Sequence, residues 1–500
     1  MNTIAADIPA TAAPASAARA WQPKGLAVIF ATEAWERFSY YGMRALLVLY
    51  LVNALGYKRA DALALYGTYT GLVYVTPLIG GWIADKWLGM RLAAVIGGTV
   101  MMLGHFAMAV PSLLHVALGL LIVGNGFFKP NTSSMVGELY DGVDDPRRDG
   151  GYTIFYMGIN LGAFFSPLVC GTLGQNVGWH WGFASAGVGM AIGLFTLVGF
   201  QSVIGRAGLR SDQASIGLKQ LPAILVWTAG CVGVVYAALA VAPVWDDLSV
   251  TAKVIAALVV IAAATQLPKL LGGAREASKP LTGPEWRRVI AICIVVFFSI
   301  AFWMGFEQAG GSMNLFADKQ TDCTIFGYKF PSSWFQSVNP LLIFLLAPVF
   351  TIIWTAINRS RFSLPDTAKQ GLGIIVLGLG FVIMYSAQLK ADATGPVGPL
   401  WLFGAYALHT VGELMLSPVG LALTSRSAPA QISALLMGVW MLSSAAGNKL
   451  AGSLESLMNG TGIQPYLFLT VFSIGAGIVL LLLTPVLHKM LRARDVSTTA

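Results

Sequence analysis

The chain contains fourteen apolar runs, each long enough to cross a lipid bilayer, and this repetition limits the possible folds more than any other feature. A transmembrane helix needs about 20 apolar residues. We predict such helices at residues 25–52, 62–84, 92–110, 115–137, 152–175, 180–200, 220–242, 250–272, 287–316, 335–357, 370–389, 399–424, 432–457 and 465–490. A mean hydropathy of +0.70 with only 11% charged residues agrees with this interpretation. We therefore predict an all-α membrane protein.

The basic residues indicate how the chain is oriented. Of the 31 lysine and arginine residues, 21 lie in the alternate loops that share a side with the amino terminus, and six lie in the opposite loops. Cytoplasmic loops are enriched in these residues. We therefore expect a multi-pass membrane protein with both termini in the cytoplasm. Because the basic residues form no continuous patch, the net charge of +8 does not indicate nucleic-acid binding.

The fourteen runs can be grouped as six, two and six, with basic linkers on either side of the middle pair. We predict an N-terminal six-helix bundle at 24–200, linkers and an inserted transmembrane hairpin at 201–286, and a C-terminal six-helix bundle at 287–490. Residues 1–23 are rich in Ala, Thr and Pro and lack the apolar core of a signal peptide. We expect them to form a disordered cytoplasmic tail, with a second tail at 491–500.

The first apolar run contains a charged stripe. Its members recur at helical spacing and share one face: Glu33, Glu36, Arg37, Tyr40, Tyr41 and Arg44. Each ionised side chain at mid-membrane raises the free energy of insertion by roughly 2.5 to 3.5 kcal/mol. Such a stripe persists only beside water, counter-charges or a ligand, so it indicates a polar path through the membrane.

Three other predicted spans each contain one ionisable residue that complements the stripe, namely Lys129, Glu307 and Glu413. The four acids and three bases of this set leave a balance of −1. A buried carboxylate without a partner tends to bind a proton, and a substrate ammonium group could fill the same deficit. The alternative is a set of static ion pairs with no role in transport. It is disfavoured because the desolvation of buried charges often exceeds the attraction between them.

The chemistry of these residues fits a small zwitterion. Arg37 and Lys129 could bind a carboxylate, and Glu413 could receive an ammonium group. Aromatic and amide side chains from other spans could line the space between the two poles: Tyr74, Tyr156, Asn160, Trp303, Asn339 and Trp440.

Nothing in the sequence points to a cofactor, a metal or an enzymatic centre. The four cysteines are far apart, and the five histidines form no matched helical pair for haem. No nucleophile elbow occurs. We therefore expect no bound cofactor and no catalysis. A membrane-bound enzyme or redox subunit is the weakest alternative.

Four motifs resemble those of one transporter family. Glu33-Ala-Trp-Glu-Arg-Phe-Ser-Tyr-Tyr-Gly42 is similar to the ExxERFxYYG motif of the proton-dependent oligopeptide transporters, the POT or PTR family of the major facilitator superfamily. Phe155 to Gly162 resembles that family's FYxxINxG signature, and Gly124 to Asn131 its fourth-helix motif. Gly80 to Arg91 resembles the superfamily's loop motif. The resemblance covers nearly the whole chain and implies the major facilitator fold.

The resemblance also implies residue roles. Glu33, Glu36, Arg37 and Glu307 would couple proton binding to transport. The peptide carboxylate would bind Arg37 and Lys129, and its amine would bind Glu413 with Asn160 and Asn339. Arg44 with Glu307 would form the outer gate, and Lys129 with Glu413 the cytoplasmic gate. The side-chain pockets would be shaped by seven further residues: Tyr40, Tyr41, Tyr74, Tyr156, Trp303, Ser417 and Trp440.

The resemblance thus implies a symporter of protons with di- and tripeptides in a bacterial inner membrane. We expect it to be a monomer. One departure concerns Gly67, because animal members have a histidine in this Tyr-x-Thr context. Proton binding must then fall to carboxylates. The alternative is transport of another small substrate on the same scaffold, such as nitrate or a drug-like anion.

Overall fold

A computed structural model describes residues 21–142, 144–210, 216, 218–247, 280–359 and 363–492. Its helices are α1 Lys24–Asn53, α2 Arg59–Ile83, α3 Met90–Ala107, α4 Leu114–Gly137, α5 Arg148–Ser166, α6 Trp179–Gly199, α7 Leu221–Asp247, α8 Gly283–Phe306, α9 Ser312–Lys319, α10 Val338–Arg359, α11 Asp366–Thr394, α12 Leu400–Ser427, α13 Ser433–Met458 and α14 Pro465–Leu491. The all-α prediction is confirmed, and the predicted helix at 250–272 lies outside the described residues.

The helices suit a bilayer. In the described ranges, eleven helical stretches are long and apolar enough to cross a membrane. α1 is not one of them, because Glu33, Glu36 and Arg37 all fall within its apolar stretch. α1 therefore depends on contacts with neighbouring helices to keep these charges away from lipid.

The two chain termini lie at the same end of the molecule. Arg59, at the start of α2, has its Nη2 2.7 Å from Oε1 of Glu455, near the end of α13. Short turns connect these two residues to the end of α1 and the start of α14. The start of α1 and the end of α14 thus lie at the same end of the molecule, which we call the terminal end. The opposite end is the distal end.

The described helices pack around two hydrophobic cores. The first joins buried residues of α1 to α6, with Cys231 and Val235 of α7 added at its side and Leu315 of α9 at its edge. The second joins buried residues of α8, α9 and α11 to α14, and the partly buried Val338 of α10 packs against it. Two separate cores agree with the prediction of two bundles, whose boundaries remain a prediction.

α7 packs against the first bundle through α4. A Cβ atom on Gly119 would lie 2.5 Å from Cγ1 of Val235, so the glycine allows close approach. The rings of Phe127 and Trp227 lie 6.2 Å apart in an edge arrangement. The first half of the predicted hairpin is therefore attached to the outside of the N-terminal bundle.

The predicted helix at 287–316 is wrong in its continuity. α8 ends at Phe306, a short 3-10 turn covers Glu307–Ala309, and α9 begins at Ser312. A Cβ atom on Gly310 would lie 1.8 Å from the hydroxyl of Tyr66, so only glycine admits that hydroxyl here. The break places Glu307 at a helix terminus, next to a side chain from the other bundle.

A strap between α9 and α10, residues 320–337, was not predicted. Strands β1 Thr324–Ile325 and β2 Tyr328–Lys329 form an antiparallel hairpin, followed by a 3-10 turn at Ser332–Ser337. The strap bonds to the other bundle at the distal end. Trp334 Nε1 donates to Thr172 Oγ1 at 2.9 Å, and Ser333 N donates to Gln175 Oε1 at 3.0 Å.

The loop between α2 and α3 is fixed at the terminal end. Arg91 is buried and donates hydrogen bonds to the carbonyl oxygens of Gly205 and Ala207, the former at 2.9 Å. The backbone N–H of Gly208 donates to Glu138 Oε2 at 2.6 Å. Part of the superfamily-like loop motif thus ties the first bundle to the segment that follows α6.

Candidate functional site

The stripe on α1 forms a buried acid–base cluster. Glu33 and Glu36 are 0% exposed and Arg37 is 2% exposed. Arg37 Nη2 donates to Glu36 Oε1 at 2.6 Å, and its Nε pairs with Glu36 and lies 3.5 Å from Glu33 Oε1. Thr132 of α4 donates its hydroxyl to Glu33 Oε2 at 3.0 Å. One guanidinium therefore faces two carboxylates, an arrangement with one negative charge in excess.

The two tyrosines of the stripe connect its charged groups. The guanidinium carbon of Arg37 lies 5.0 Å from the ring centroid of Tyr40. Tyr41 lies within electrostatic range of Arg37, Arg44 and Glu413. Tyr41 therefore occupies the region between the cluster of α1 and the acid of α12.

Arg44 and Glu307 are in contact. They come from opposite bundles, are 9% and 3% exposed, and form a hydrogen-bonded ion pair. Arg44 Nε also donates to the hydroxyl of Tyr66 at 2.6 Å. The sequence predicted the pair but not Tyr66, whose hydroxyl enters the space left by Gly310.

Glu413 has an amide partner. Nδ2 of Asn339, on α10, donates to Glu413 Oε2 at 2.8 Å and to Thr410 Oγ1 at 3.0 Å. Asn160 behaves differently, because its Nδ2 donates to the carbonyl oxygen of Tyr156 on its own helix. Of the residues predicted to hold an amine, Glu413 and Asn339 are thus brought together and Asn160 is not bonded to either.

Lys129 and Glu413 do not form the predicted pair in this structure. Lys129 is half-buried on α4, within electrostatic range of Glu33 and Glu36. The ion pairs of the described ranges include none made by Lys129 or by Glu413. Both groups are therefore available to a ligand, one from each bundle.

The predicted lining residues fall into two groups. Tyr156 is 47% exposed, and it lines a cavity together with Glu413 and Ser417. Trp303 and Trp440 are 9% and 4% exposed and are packed against glycines of neighbouring helices. Tyr74 is half-buried on α2. Tyr156 and Ser417 thus face open space, whereas the two tryptophans lie mainly within the packing of the second bundle.

The distal ends of the two bundles meet in a seam between α2 and α13. A Cβ atom on Gly67 would lie 2.6 Å from the carbonyl oxygen of Asn448 and 2.7 Å from the Cα of Gly452. Lys449 Nζ donates to Thr68 Oγ1 at 2.7 Å next to it. The histidine absent from this position has no room here, because backbone occupies the space of any side chain.

These contacts define the conformation. The bundles touch at the distal end through the seam, the strap, the Arg59–Glu455 pair and the Arg44–Glu307 pair. Closer to the terminal end, the cavity at Glu413 lies between α5, α10 and α12. The structure is thus closed at the distal end and retains a cavity that extends from the site toward the terminal end.

In the described ranges, no group of three or more His, Cys, Asp or Glu side chains is placed to hold a metal ion.

Two residues that contact the site were not singled out from the sequence, namely Thr132 and Tyr66. Thr132 lies one turn from Lys129 on α4, and Tyr66 adjoins Gly67. Helical spacing from Lys129 could have indicated Thr132, but Tyr66 depends on the break at Gly310.

Comparisons with known proteins agree with one another. The model of the POT family matches residues 91–466. Peptide transporter YePEPT of Yersinia enterocolitica subsp. palearctica is 35% identical, over 94% of this chain and 95% of its own. The di-/tripeptide transporter of Lactococcus lactis subsp. cremoris is 34% identical, over 94% and 97%. A crystal structure of a variant of peptide transporter POT in complex with alafosfalin has a TM-score of 0.76 and 35% identity, covering 94% of this chain and 96% of that one.

Proposed function

This chain belongs to the POT family, and on that premise we propose that it imports di- and tripeptides together with protons by alternating access. It is a multi-pass membrane protein of a transporter family. The excess of basic residues in the loops on the amino-terminal side supports cytoplasmic termini, and the bacterial relatives support a bacterial inner membrane. The terminal end of the molecule then faces the cytoplasm, and the cavity at Glu413 extends toward it.

The observation that carries the proposal is that Lys129 and Glu413 are charged groups of opposite sign, on opposite bundles, with no ion pair between them. A zwitterionic peptide supplies the missing partners. Its carboxylate meets Lys129 and Arg37, and its ammonium group meets Glu413, which Asn339 orients. Both bundles then hold the same small molecule, which is the connection that alternating access needs.

The proton acts at the distal gate in this proposal. The carboxylate of Glu307 holds Arg44 of the other bundle while the distal end is closed. A proton on Glu307 removes its charge and weakens the pair, so the bundles can separate there. The Glu33, Glu36 and Arg37 cluster, with its excess negative charge, is the second proton-binding group and adjoins the carboxylate-binding side of the site.

The two gates alternate. With the distal gate closed, Lys129 and Glu413 are apart, as in this structure. In the opposite state they pair and close the cytoplasmic side, while Arg44 and Glu307 separate. The N-terminal bundle 24–200 and the C-terminal bundle 287–490 move as the two units, and the segment 201–286 connects them.

The experiment is uptake of labelled dialanine into proteoliposomes. A proton gradient directed into the liposomes is expected to drive accumulation of dialanine by the wild type. A membrane potential that is negative inside should increase it, since each positive charge moved inward gains about 2.3 kcal/mol per 100 mV. Glu307→Gln is expected to lose accumulation and to retain exchange of labelled for unlabelled dialanine. Asp392→Asn is a matched acid-to-amide control, because Asp392 is exposed near the distal end of α11.

Uptake that ignores both the pH gradient and the membrane potential would refute proton coupling. Accumulation by Glu307→Gln equal to that of Asp392→Asn would refute the role of Glu307. An anion substrate such as nitrate does not need Glu413. Unchanged affinity in Glu413→Gln, combined with loss of transport in Arg37→Lys, would therefore favour that alternative.

A further inference from the structure

A second cavity lies at the terminal end of the molecule, among the start of α11 and the ends of α12 and α14. Its volume is about 480 Å³, within the range of small-molecule sites. Asp366 and Arg426 line it and also line the cavity at Glu413. Four other polar residues belong to this second cavity and not to the first, namely Thr367, Lys369, His488 and Arg492. We call it the basic cavity.

The basic cavity has an excess of positive charge. Its lining in the described ranges includes three cations, Lys369, Arg426 and Arg492, and one carboxylate, Asp366, which leaves +3 − 1 = +2 with His488 neutral. Asp366 is shared between two of the cations, because its Oδ1 lies 3.4 Å from Lys369 Nζ and its Oδ2 pairs with Arg426. Lys369 is also buried. A cation held away from bulk water attracts an anion more strongly than the same charge in solution.

The start of α11 adds hydrogen-bond donors to this charge. The N-cap residue is Pro365, and among the described residues no side chain caps the helix. The first N–H groups of a helix have no partner within it and favour a bound anion. Thr367, in the same turn, is buried, and its hydroxyl has no hydrogen-bond partner among the described residues. A bound oxyanion supplies the acceptor that this hydroxyl lacks.

The outer face of α14 indicates where the basic cavity lies in the membrane. Val479, Leu482 and Val486 are exposed and share one face of that helix. An exposed apolar face on a membrane protein contacts acyl chains. Arg492 follows Val486 by six residues, about 9 Å along the helix. The cavity therefore lies where acyl chains give way to the phosphate groups of the lipids.

We propose that the basic cavity binds a phosphate ester through Arg492, Lys369 and the start of α11. This inference goes beyond peptide transport and does not depend on it. Each Lys or Arg near an anionic membrane surface favours binding by about fivefold, and basic pockets between membrane helices hold lipid headgroups. A phospholipid brings its phosphate to the cavity with its chains along α14, whereas a soluble phosphate ester enters from water.

Three probes separate phosphate from acyl chains. Native mass spectrometry of the full-length protein in detergent measures the binding of dioleoyl phosphatidylglycerol and of diolein, which has the same chains and no phosphate. We expect phosphatidylglycerol to bind about tenfold or more tightly than diolein. Glycerol phosphate, which has no chains, is then added as a competitor. We expect it to displace the lipid only at concentrations about 100-fold or more above that of the lipid.

Matched variants assign the binding to the basic cavity. Arg492→Gln should weaken phosphatidylglycerol binding about fivefold. Lys489→Gln is the control, because Lys489 is exposed on the same helix end, carries the same charge and does not line the cavity. Thr367→Val keeps the shape of the side chain and removes the hydroxyl, so it should weaken binding about tenfold and leave the melting temperature of the lipid-free protein unchanged.

The outcomes are distinct. Equal binding of phosphatidylglycerol and diolein overturns the proposal. Binding of phosphatidylglycerol that neither Arg492→Gln nor Thr367→Val weakens more than Lys489→Gln also overturns it, since the lipid would then lie elsewhere. Displacement by glycerol phosphate at concentrations close to that of the lipid keeps the phosphate site and identifies its source as a soluble ester. Resistance to displacement identifies the source as the membrane.

Discussion

The seam between α2 and α13 gives a prediction whose size follows from three distances. In Gly67→Ala the new Cβ atom would meet the carbonyl oxygen of Asn448 at 2.6 Å, the Cα of Gly452 at 2.7 Å and its nitrogen at 2.9 Å. All three atoms belong to backbone, so no side chain can rotate away. The two helices must separate for the methyl group to fit.

The required separation is about 1 Å, since ordinary contacts between heavy atoms are near 3.5 to 4.0 Å. Added atoms in a close-packed interface typically cost about 1–3 kcal/mol. That cost applies only to molecules closed at the distal end, because the seam is absent when the bundles part there. The ratio of closed to open molecules should therefore fall by about 5- to 150-fold.

Double electron–electron resonance between two spin labels gives a distribution of distances, from which the ratio of closed to open molecules is read. The labels are placed at Lys58 and Asn459, both exposed at the distal end, after the native cysteines are replaced by serine. Gly67→Ala should move population to longer distances. Gly475→Ala is the matched control, because a Cβ atom at Gly475 would meet nothing within 4 Å and the helix gains the same methyl group.

The reasoning is refuted if Gly67→Ala and Gly475→Ala give the same distance distribution. A shift to longer distances in both variants would also refute it, since the effect would then arise from the alanine in the helix and not from the seam. A shift confined to Gly67→Ala should be accompanied by slower net uptake, because re-closing the distal end is a step of the cycle.

Three further predictions concern the ends of the molecule. Arg59→Glu should lower the ratio of closed to open molecules by up to about fivefold at low salt, because partly exposed ion pairs are worth about 0.2–1 kcal/mol and are screened by salt. Adding Glu455→Arg should restore the ratio. The same spin labels measure both effects, and an effect unchanged in high salt would contradict the prediction. Hydrogen bonds from Arg147 hold the pKa of Asp145 below its usual range. The stability that Asp145 contributes is therefore complete above the pKa of unfolded aspartate and is lost as pH falls through the lower folded value. The melting temperature of Asp145→Asn should lie below that of the wild type by a constant difference from pH 6 to 8, and a difference that changes across this range would contradict the assignment. Phe326 has a φ of 48° at the tip of the strap, a conformation that asparagine adopts more readily, so Phe326→Asn should raise the melting temperature slightly, and a decrease would count against strain there.

The sequence predicted the charged groups of the site because charge inside an apolar run is conspicuous. Arg37 had to lie beside Glu33, because residues four apart are neighbours on a helix. Its hydrogen bond to the adjacent residue Glu36 did not follow from that spacing. The partner of Arg44 could not be derived from spacing, because Glu307 lies 263 residues away on another helix. The family resemblance supplied that pair.

Features that depend on backbone approach were not predictable in the same way. Gly67 looked like a missing histidine, but the structure fills its side-chain space with the backbone of Gly452. Gly310 makes room for the hydroxyl of Tyr66, and the sequence around it gives no sign of that contact. In both cases the glycine is explained by an atom from the other bundle, which no local pattern contains.

The strap was missed because its elements are too short to produce a periodic signal. Each of its strands has two residues, and its turn uses Phe326 and Gly327 in place of the Asn-Gly pair typical of such turns. Its cohesion comes from hydrogen bonds to Gln175 and Thr172 across the bundles. A short segment that folds against a distant surface leaves little trace in its own residues.

The hydroxyl of Tyr66 has a consequence for the rate of the proposed cycle. A buried arginine left without any partner typically costs about 3–5 kcal/mol, which would slow a reaction by roughly 150- to 5,000-fold if it fell on the transition state. In the proposed cycle Arg44 would avoid part of this penalty when Glu307 becomes neutral, because Tyr66 still accepts its Nε–H at 2.6 Å. The gate would then release its acid without leaving a bare cation, and the glycine at position 310 would help to keep the energy barrier between the two states low.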